Sequence, residues 1–62
     1  MPDDPPREVY FEFTVIGHSV KVSAIDATTG TEVSVMGPAT AAQADLQRLA
    51  LQKLKMRMKA GG

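Results

Sequence analysis

The chain has 62 residues, no cysteine, one histidine and a formal net charge of zero. This length allows one small domain, whose apolar core barely offsets the loss of chain entropy. Disulfide bonds and a Cys/His metal site are excluded, and we expect no metal or other cofactor. Packing or self-association must therefore stabilise the fold.

The charges are divided unevenly between the two halves of the chain. Residues 1–37 carry six acidic and two basic side chains, whereas residues 38–62 carry one acidic and five basic side chains. The first residues lack the cationic and apolar segments of a signal peptide. No apolar run approaches the ~20 residues of a membrane span. We therefore expect a cytoplasmic protein without membrane contact, acidic in its first half and basic in its second.

The first two strands are predicted as a hairpin. From Val9 to Ile16 the apolar residues recur with a period of two, which is typical of a strand. Gly17 and His18 follow as a two-residue loop with glycine first, which favours a type II′ turn. This turn pairs Val15 with Val20 and places the apolar partners on one face of the sheet. A shift by one residue would lose that match, so the register is strongly specified.

A second turn and a third strand complete the predicted sheet. Asp26 can accept backbone N–H bonds at the start of this turn, and Gly30 can adopt a positive φ where the chain reverses. The third strand ends at Gly37 and Pro38, because proline cannot donate to a strand ladder. The sheet is therefore predicted as an antiparallel meander of order 1-2-3, with the second strand central.

A long helix is predicted from about Ala41 to Lys59. Thr40 and Gln43 have the spacing of a capping box, and no helix breaker follows until the final glycines. The predicted fold class is α+β, a three-stranded antiparallel β-meander followed by one long C-terminal α-helix packed on one sheet face. We expect a disordered leader over residues 1–7, a single domain over 8–60 and a frayed tail over 61–62.

The helix has a wider apolar surface than a small sheet needs. At ~100° per residue, its apolar residues form two adjacent stripes that together span roughly 220°. The first stripe contains Ala42, Leu46, Leu49, Ala50 and Met56, and the second contains Ala44, Leu51, Leu54 and Met58. We expect one stripe to cover the sheet residues Phe11, Phe13, Val20, Val22, Val33 and Val35.

The remaining stripe predicts a protein interface. We assign this interface to Ala44, Leu51, Leu54 and Met58, most simply against a second copy in a homodimer. Three alternatives stay open: a different protein partner, a seam along an open sheet edge, and a wide stripe that wraps a curved sheet without any partner. The predicted function is that of a small, non-enzymatic oligomerising or adaptor protein.

Nucleic-acid binding is the alternative function. Arg48, Lys55 and Lys59 could contact phosphates from the basic half of the helix. Cations near a helix C-terminus also complement its dipole, however. Glu12 and Glu32 on the outer sheet face disfavour binding through the sheet. We therefore place this function second.

Catalysis is not expected. His18 lies at a hairpin tip with no convincing nucleophile and acid beside it. Glu12 and Glu32 share an open, flat face that offers no cleft to desolvate either carboxylate. The chain contains no phosphate-binding glycine motif and no HExxH motif. We predict neither catalytic nor cofactor-binding residues.

Much of the predicted ordered chain carries a family resemblance. The segments concerned are VKVSAID with ATTGTEVSV, GPATAAQADL and RLALQKL. With them, the run from Val9 to Met58 resembles a small uncharacterised bacterial family of single-domain proteins, a domain of unknown function. The resemblance implies a free-standing bacterial cytosolic protein. It assigns no activity and no functional residue.

Overall fold

The structure, a computed structural model, describes residues 8–60. Its elements are β1 (Val9–Ile16), β2 (Ser19–Asp26), β3 (Glu32–Pro38) and α1 (Gln43–Ala60). The strands form one antiparallel sheet of order β1-β2-β3, and α1 contacts that sheet. The predicted α+β fold with its meander is therefore confirmed. The predicted leader over 1–7 and tail over 61–62 lie outside the described residues.

The strand register agrees with the sequence prediction at the first turn. Val15 pairs with Val20 and Ala24 pairs with Val33. Gly17 has φ 60°, and no described non-glycine residue has a positive φ, so the first turn has the type II′ pattern. Gly30 has φ 76° in the second turn. Alternation fixes the strand faces, and the glycines allow the chain to reverse between them.

Asp26 organises the second turn from a fully buried position at the end of β2. Its Oδ2 accepts bonds from the backbone N–H and the hydroxyl of Thr29, both at 2.9 Å. The Gly30 N–H also donates to the Asp26 carbonyl at 2.8 Å. The predicted role of this aspartate as an acceptor of backbone N–H bonds is confirmed.

The core lies between α1 and the two strands β2 and β3. Its buried residues are Val20, Val22, Ala24 and Val33 from the sheet, with Leu46, Ala50 and Leu54 from the helix. The three helix residues are four positions apart, so they form one row along the helix. Near the start of that row, a Cβ on Gly37 would lie 2.6 Å from Leu46 Cδ2. The absence of a side chain at Gly37 therefore lets the first turn of α1 approach β3 closely.

The start of α1 differs from the prediction. The helix begins at Gln43, and the Ala42 carbonyl accepts bonds from the N–H groups of Asp45 and Leu46 at 3.1 and 3.3 Å. Ala42 therefore occupies the cap position, and Thr40 lies in the preceding turn. The predicted capping box of Thr40 and Gln43 is wrong, because the Ala41 N–H bonds the Pro38 carbonyl and this extra turn delays the helix.

Candidate interaction surface

The position of α1 on the sheet decides which apolar residues remain accessible. The helix packs on β2 and β3, whereas β1 lies beside it. Lys53 shows which way the helix is turned, because its Nζ donates to the Ser34 carbonyl at 2.8 Å. Ser34 belongs to β3, so the flank of α1 that carries Lys53 faces the β3 edge. The opposite flank therefore faces β1.

Leu51 and Met58 lie on the β1 flank of the helix. At ~100° per residue they fall on one side of the buried Ala50 row, and Lys53 falls on the other. Met58 is half-buried against the core, as are Val9 and Phe11 of β1. Leu51 is also half-buried.

Two β1 residues on the helix side of the sheet are exposed, and one of them, Phe13, is among the residues that we expected the helix to cover. Phe13 is 39% exposed and Val15 is 72% exposed, although both point to the face of the sheet that carries α1. The helix is ~10 Å wide and strands are ~4.8 Å apart, so one helix covers about two strands. We refer to Phe11, Phe13, Val15, Leu51 and Met58 together as the β1 surface.

The exposure of Val15 follows from its position near the helix start. Leu46 lies over Gly37, Gly37 pairs with Val20, and Val20 pairs with Val15. Ala44 is the small residue of α1 on the β1 flank at this end, and it is exposed. A methyl group cannot reach across to β1, so this end of the β1 surface is the most open.

The four predicted interface residues therefore have different environments. Leu54 is only 1% exposed and belongs to the core, which corrects the expectation that it lacks a partner inside the chain. Met58 packs partly against the same core, which corrects that expectation for a second residue. Leu51 and Ala44 remain on the accessible flank. Their role in an interface, with that of Met58, stays a prediction.

The stripe assignment was also wrong for two residues on the other flank. Leu49 and Met56 belong to the stripe that contains Leu46 and Ala50, yet they are 52% and 71% exposed. They lie on the side of α1 that faces the β3 edge, beyond the row that contacts the sheet. Leu54 of the second stripe belongs to the core instead, because it follows Leu46 and Ala50 at the same spacing of four residues.

The outer sheet face carries further exposed apolar side chains. Tyr10 and Ile16 of β1 are 53% and 52% exposed, and Met36 of β3 is 57% exposed. Two of these three residues belong to β1. This strand therefore carries exposed apolar side chains on both of its faces, which is unusual for a strand of a small sheet.

The three predicted nucleic-acid contacts share one row of α1. Arg48, Lys55 and Lys59 are exposed and lie on the side of the helix away from the sheet. Arg48 Nη1 approaches Asp45 Oδ1 at 3.5 Å in a solvent-exposed pair. Such a pair stabilises little and leaves the arginine available. Lys53, by contrast, is held by β3.

The residues considered for catalysis all lie on the surface. His18, Glu12 and Glu32 are exposed. Among residues 8–60, no three histidine, cysteine, aspartate or glutamate side chains come together to hold a metal ion. In the same part of the chain, no helix has both the length and the apolar character needed to cross a membrane.

The family of the chain can now be stated. A family model described as "Domain of unknown function (DUF6898)" matches residues 6–61, so the chain belongs to this family. The resemblance to a domain of unknown function is thereby confirmed. Comparisons with curated proteins and with solved structures found no match.

Proposed function

We propose that this member of the DUF6898 family is a non-enzymatic protein that self-associates through the β1 surface, most simply as a homodimer. The observation that carries the proposal is the position of α1 over β2 and β3. It leaves Phe13 and Val15 exposed on a sheet face that is otherwise core. A second copy would remove these side chains from water, which is favourable in proportion to the apolar area covered.

Two properties of the chain support a second copy as the partner. A domain of 62 residues buries a small share of its surface, so added burial by association contributes strongly to its stability. The formal net charge is zero, so two copies meet without the overall repulsion that keeps strongly charged proteins apart.

The proposed interface keeps three of the four helix residues predicted from the sequence. Leu51 and Met58 lie on the β1 flank, and Ala44 extends that flank toward Val15. Leu54 is left out, because its side chain supports the core of each copy. The bacterial and cytoplasmic setting implied by the family resemblance belongs to the same proposal.

Sedimentation velocity over a wide concentration range tests the proposal. Val15→Lys places a charge in the β1 surface, and Met36→Lys places the same charge on another exposed strand position, on the outer face. We expect the parent and Met36→Lys to dimerise alike. Val15→Lys should weaken the dimer about 30-fold or more, since a charge in place of an apolar side chain that the partner covers should cost ~2 kcal/mol or more.

Two results would contradict self-association through the β1 surface. One is a parent chain that stays monomeric at every concentration, which would leave the surface to a different protein and favour the adaptor function. The other is equal dimerisation of Val15→Lys and Met36→Lys. Circular dichroism of each variant establishes that both substitutions leave the chain folded.

Nucleic-acid binding is the second candidate, supported by the shared exposed row of Arg48, Lys55 and Lys59. It requires a mobility shift of RNA or DNA at low salt that weakens as salt rises. Neutralising these three residues together should abolish that shift, whereas Val15→Lys, which adds a cation elsewhere, should not weaken it. An unshifted probe at low salt would exclude this function.

A further inference from the structure

We propose that β1 of one copy pairs antiparallel with β1 of a second copy across a two-fold axis at Phe13. This inference rests on the proposed self-association and specifies its seam and register. The two three-stranded sheets would then form one continuous sheet, with both helices on the same side. Such a contact uses the same strand in both copies, as a two-fold interface must.

Within residues 8–60, the backbone groups of β1 that have no neighbouring strand lie at the positions with uncovered apolar side chains. In an antiparallel pair, alternate residues exchange both of their hydrogen bonds with the neighbouring strand. The Ala27 N–H donates to the Glu8 carbonyl at 3.0 Å, so even-numbered residues bond toward β2. The residues that direct N–H and C=O groups to the open edge are Val9, Phe11, Phe13 and Val15. A second strand would satisfy these groups and extend the sheet.

The β3 edge is obstructed for such pairing at three positions. The Asp26 N–H donates to the Thr31 carbonyl at 2.9 Å, so even-numbered residues of β3 face the open edge. Among them, the Ser34 carbonyl is occupied by Lys53 at 2.8 Å, and Pro38 has no N–H to donate. Glu32 adds a charge at the other end. Lysine, proline and charge are the usual means of blocking strand addition, so the seam falls on β1.

The backbone pattern and one charge select the register. The free backbone groups lie on odd-numbered residues, so odd-numbered residues of the two copies must face each other. The two-fold axis therefore passes between two equivalent residues, one from each copy. Centres at Glu12 or Phe13 give the longest overlaps of the strand. A centre at Glu12 would place two glutamates directly opposite each other, which is destabilising. A centre at Phe13 instead places Glu12 opposite Thr14 of the second copy.

The Phe13 register also provides charge complementarity. Thr14 pairs with Lys21 inside each copy. Lys21, Thr14 and Glu12 of the second copy would therefore occupy one row on the outer face of the continuous sheet. With strands ~4.8 Å apart, the lysine side chain can extend over the threonine toward that carboxylate. The two-fold axis creates the same contact twice.

The same register covers apolar side chains on both faces of β1. On the helix side, the two Phe13 rings meet at the axis and Phe11 lies opposite Val15 of the second copy. Aromatic and β-branched cross-strand pairs are among the more stabilising ones. On the outer side, Tyr10 lies opposite Ile16 of the second copy, and both are about half exposed in the single chain. One seam thus accounts for the exposed apolar residues of β1 on both faces.

Disulfide cross-linking tests the register, because the chain has no cysteine of its own. Isotope-labelled Tyr10→Cys is mixed with unlabelled Ile16→Cys under mild oxidation, and mass spectrometry counts the mixed product. These positions would form a non-hydrogen-bonded pair with Cα atoms ~4.5 Å apart, within the range of a disulfide. Both substitutions leave Glu12, which selects the register, in place.

Two further mixtures provide the controls. Tyr10→Cys mixed with Thr14→Cys cross-links if the two-fold axis lies at Glu12. Ile16→Cys mixed with Met36→Cys measures the rate of chance collision between exposed thiols. We expect the first mixture to cross-link about tenfold faster than either control, since only its thiols start at bonding distance.

Faster linkage of positions 10 and 14 would overturn the Phe13 register. Collision-level linkage in every mixture, for a chain that sediments as a dimer, would overturn edge pairing while the proposed self-association stands. A chain that sediments as a monomer removes both. Failure of edge pairing alone can therefore be distinguished from failure of self-association.

Discussion

The two edge strands of the sheet face water in different ways. β3 lies under α1, and one of its edge carbonyls is bonded by Lys53 of the same helix. β1 lies beside the helix, and the residues whose backbone groups point to its open edge are all apolar. The single helix therefore covers the face of β3 and bonds to its edge. It leaves the edge of β1 open and covers the face of β1 only in part. In the proposed dimer, this asymmetry is the reason why association falls on β1.

The asymmetry has a simple geometric origin. A helix is about as wide as two strands, so a three-stranded sheet with one helix leaves one strand partly uncovered. Because Gly37 has no side chain, Leu46 has room to pack there and the first turn of α1 can lie over β3. The choice of the uncovered strand thus depends on packing at the β3 side.

The largest expected loss of stability comes from the buried helix row of Leu46, Ala50 and Leu54, which packs α1 on the sheet. Leu54→Ala removes a fully buried side chain and should lower the free energy of unfolding by ~3 kcal/mol. The same substitution at Leu49, which is about half exposed, should cost much less than ~1 kcal/mol. Urea denaturation at one fixed protein concentration compares the two. Equal losses would contradict the placement of α1 over β2 and β3.

A smaller effect is expected where α1 meets β3. Gly37→Ala would bring a methyl group to 2.6 Å from Leu46 Cδ2, so the leucine or the helix must shift. We expect a loss of ~1 kcal/mol in the free energy of unfolding, which is typical of overpacking. Gly37 has no positive φ that would add backbone strain.

A double-mutant cycle isolates this steric cause. In a Leu46→Ala background the methyl group has room, and the penalty of Gly37→Ala should disappear. An unchanged penalty in that background would assign the cost to another contact of Gly37.

The strands were predictable from the sequence because two independent signals agree. The period-two pattern of β1 fixes its faces, and Gly17 with Gly30 fixes the turns. The helix start was not predictable from Thr40 and Gln43, because a bond between Ala41 and Pro38 inserts a turn that no spacing rule contains. A capping motif therefore competes with the turn that forms at the end of the preceding strand.

The rotation of α1 was harder to predict than its existence. An apolar arc of roughly 220° offers several rows that could face the sheet, and periodicity does not choose among them. Leu54 was therefore assigned to the surface and Leu49 to the core. Ala50 between two leucines marks the row that packs closely, and the width of a helix indicates that one of the two edge strands stays partly uncovered. Those two considerations use only the sequence and standard dimensions.

The smallest expected effect tests the difference between the two edges most directly. Lys53→Met keeps an apolar stem but frees the Ser34 carbonyl at the β3 edge. Loss of one hydrogen bond at an exposed site should cost ~0.5 kcal/mol of unfolding free energy. Lys55→Met, the same change on the solvent side of α1, should cost nothing measurable. Lys53→Met should also form species larger than a dimer at high concentration, because β3 then offers a second edge. If both variants behave alike, Pro38 and Glu32 close that edge without the lysine, and the helix protects β3 only by covering its face.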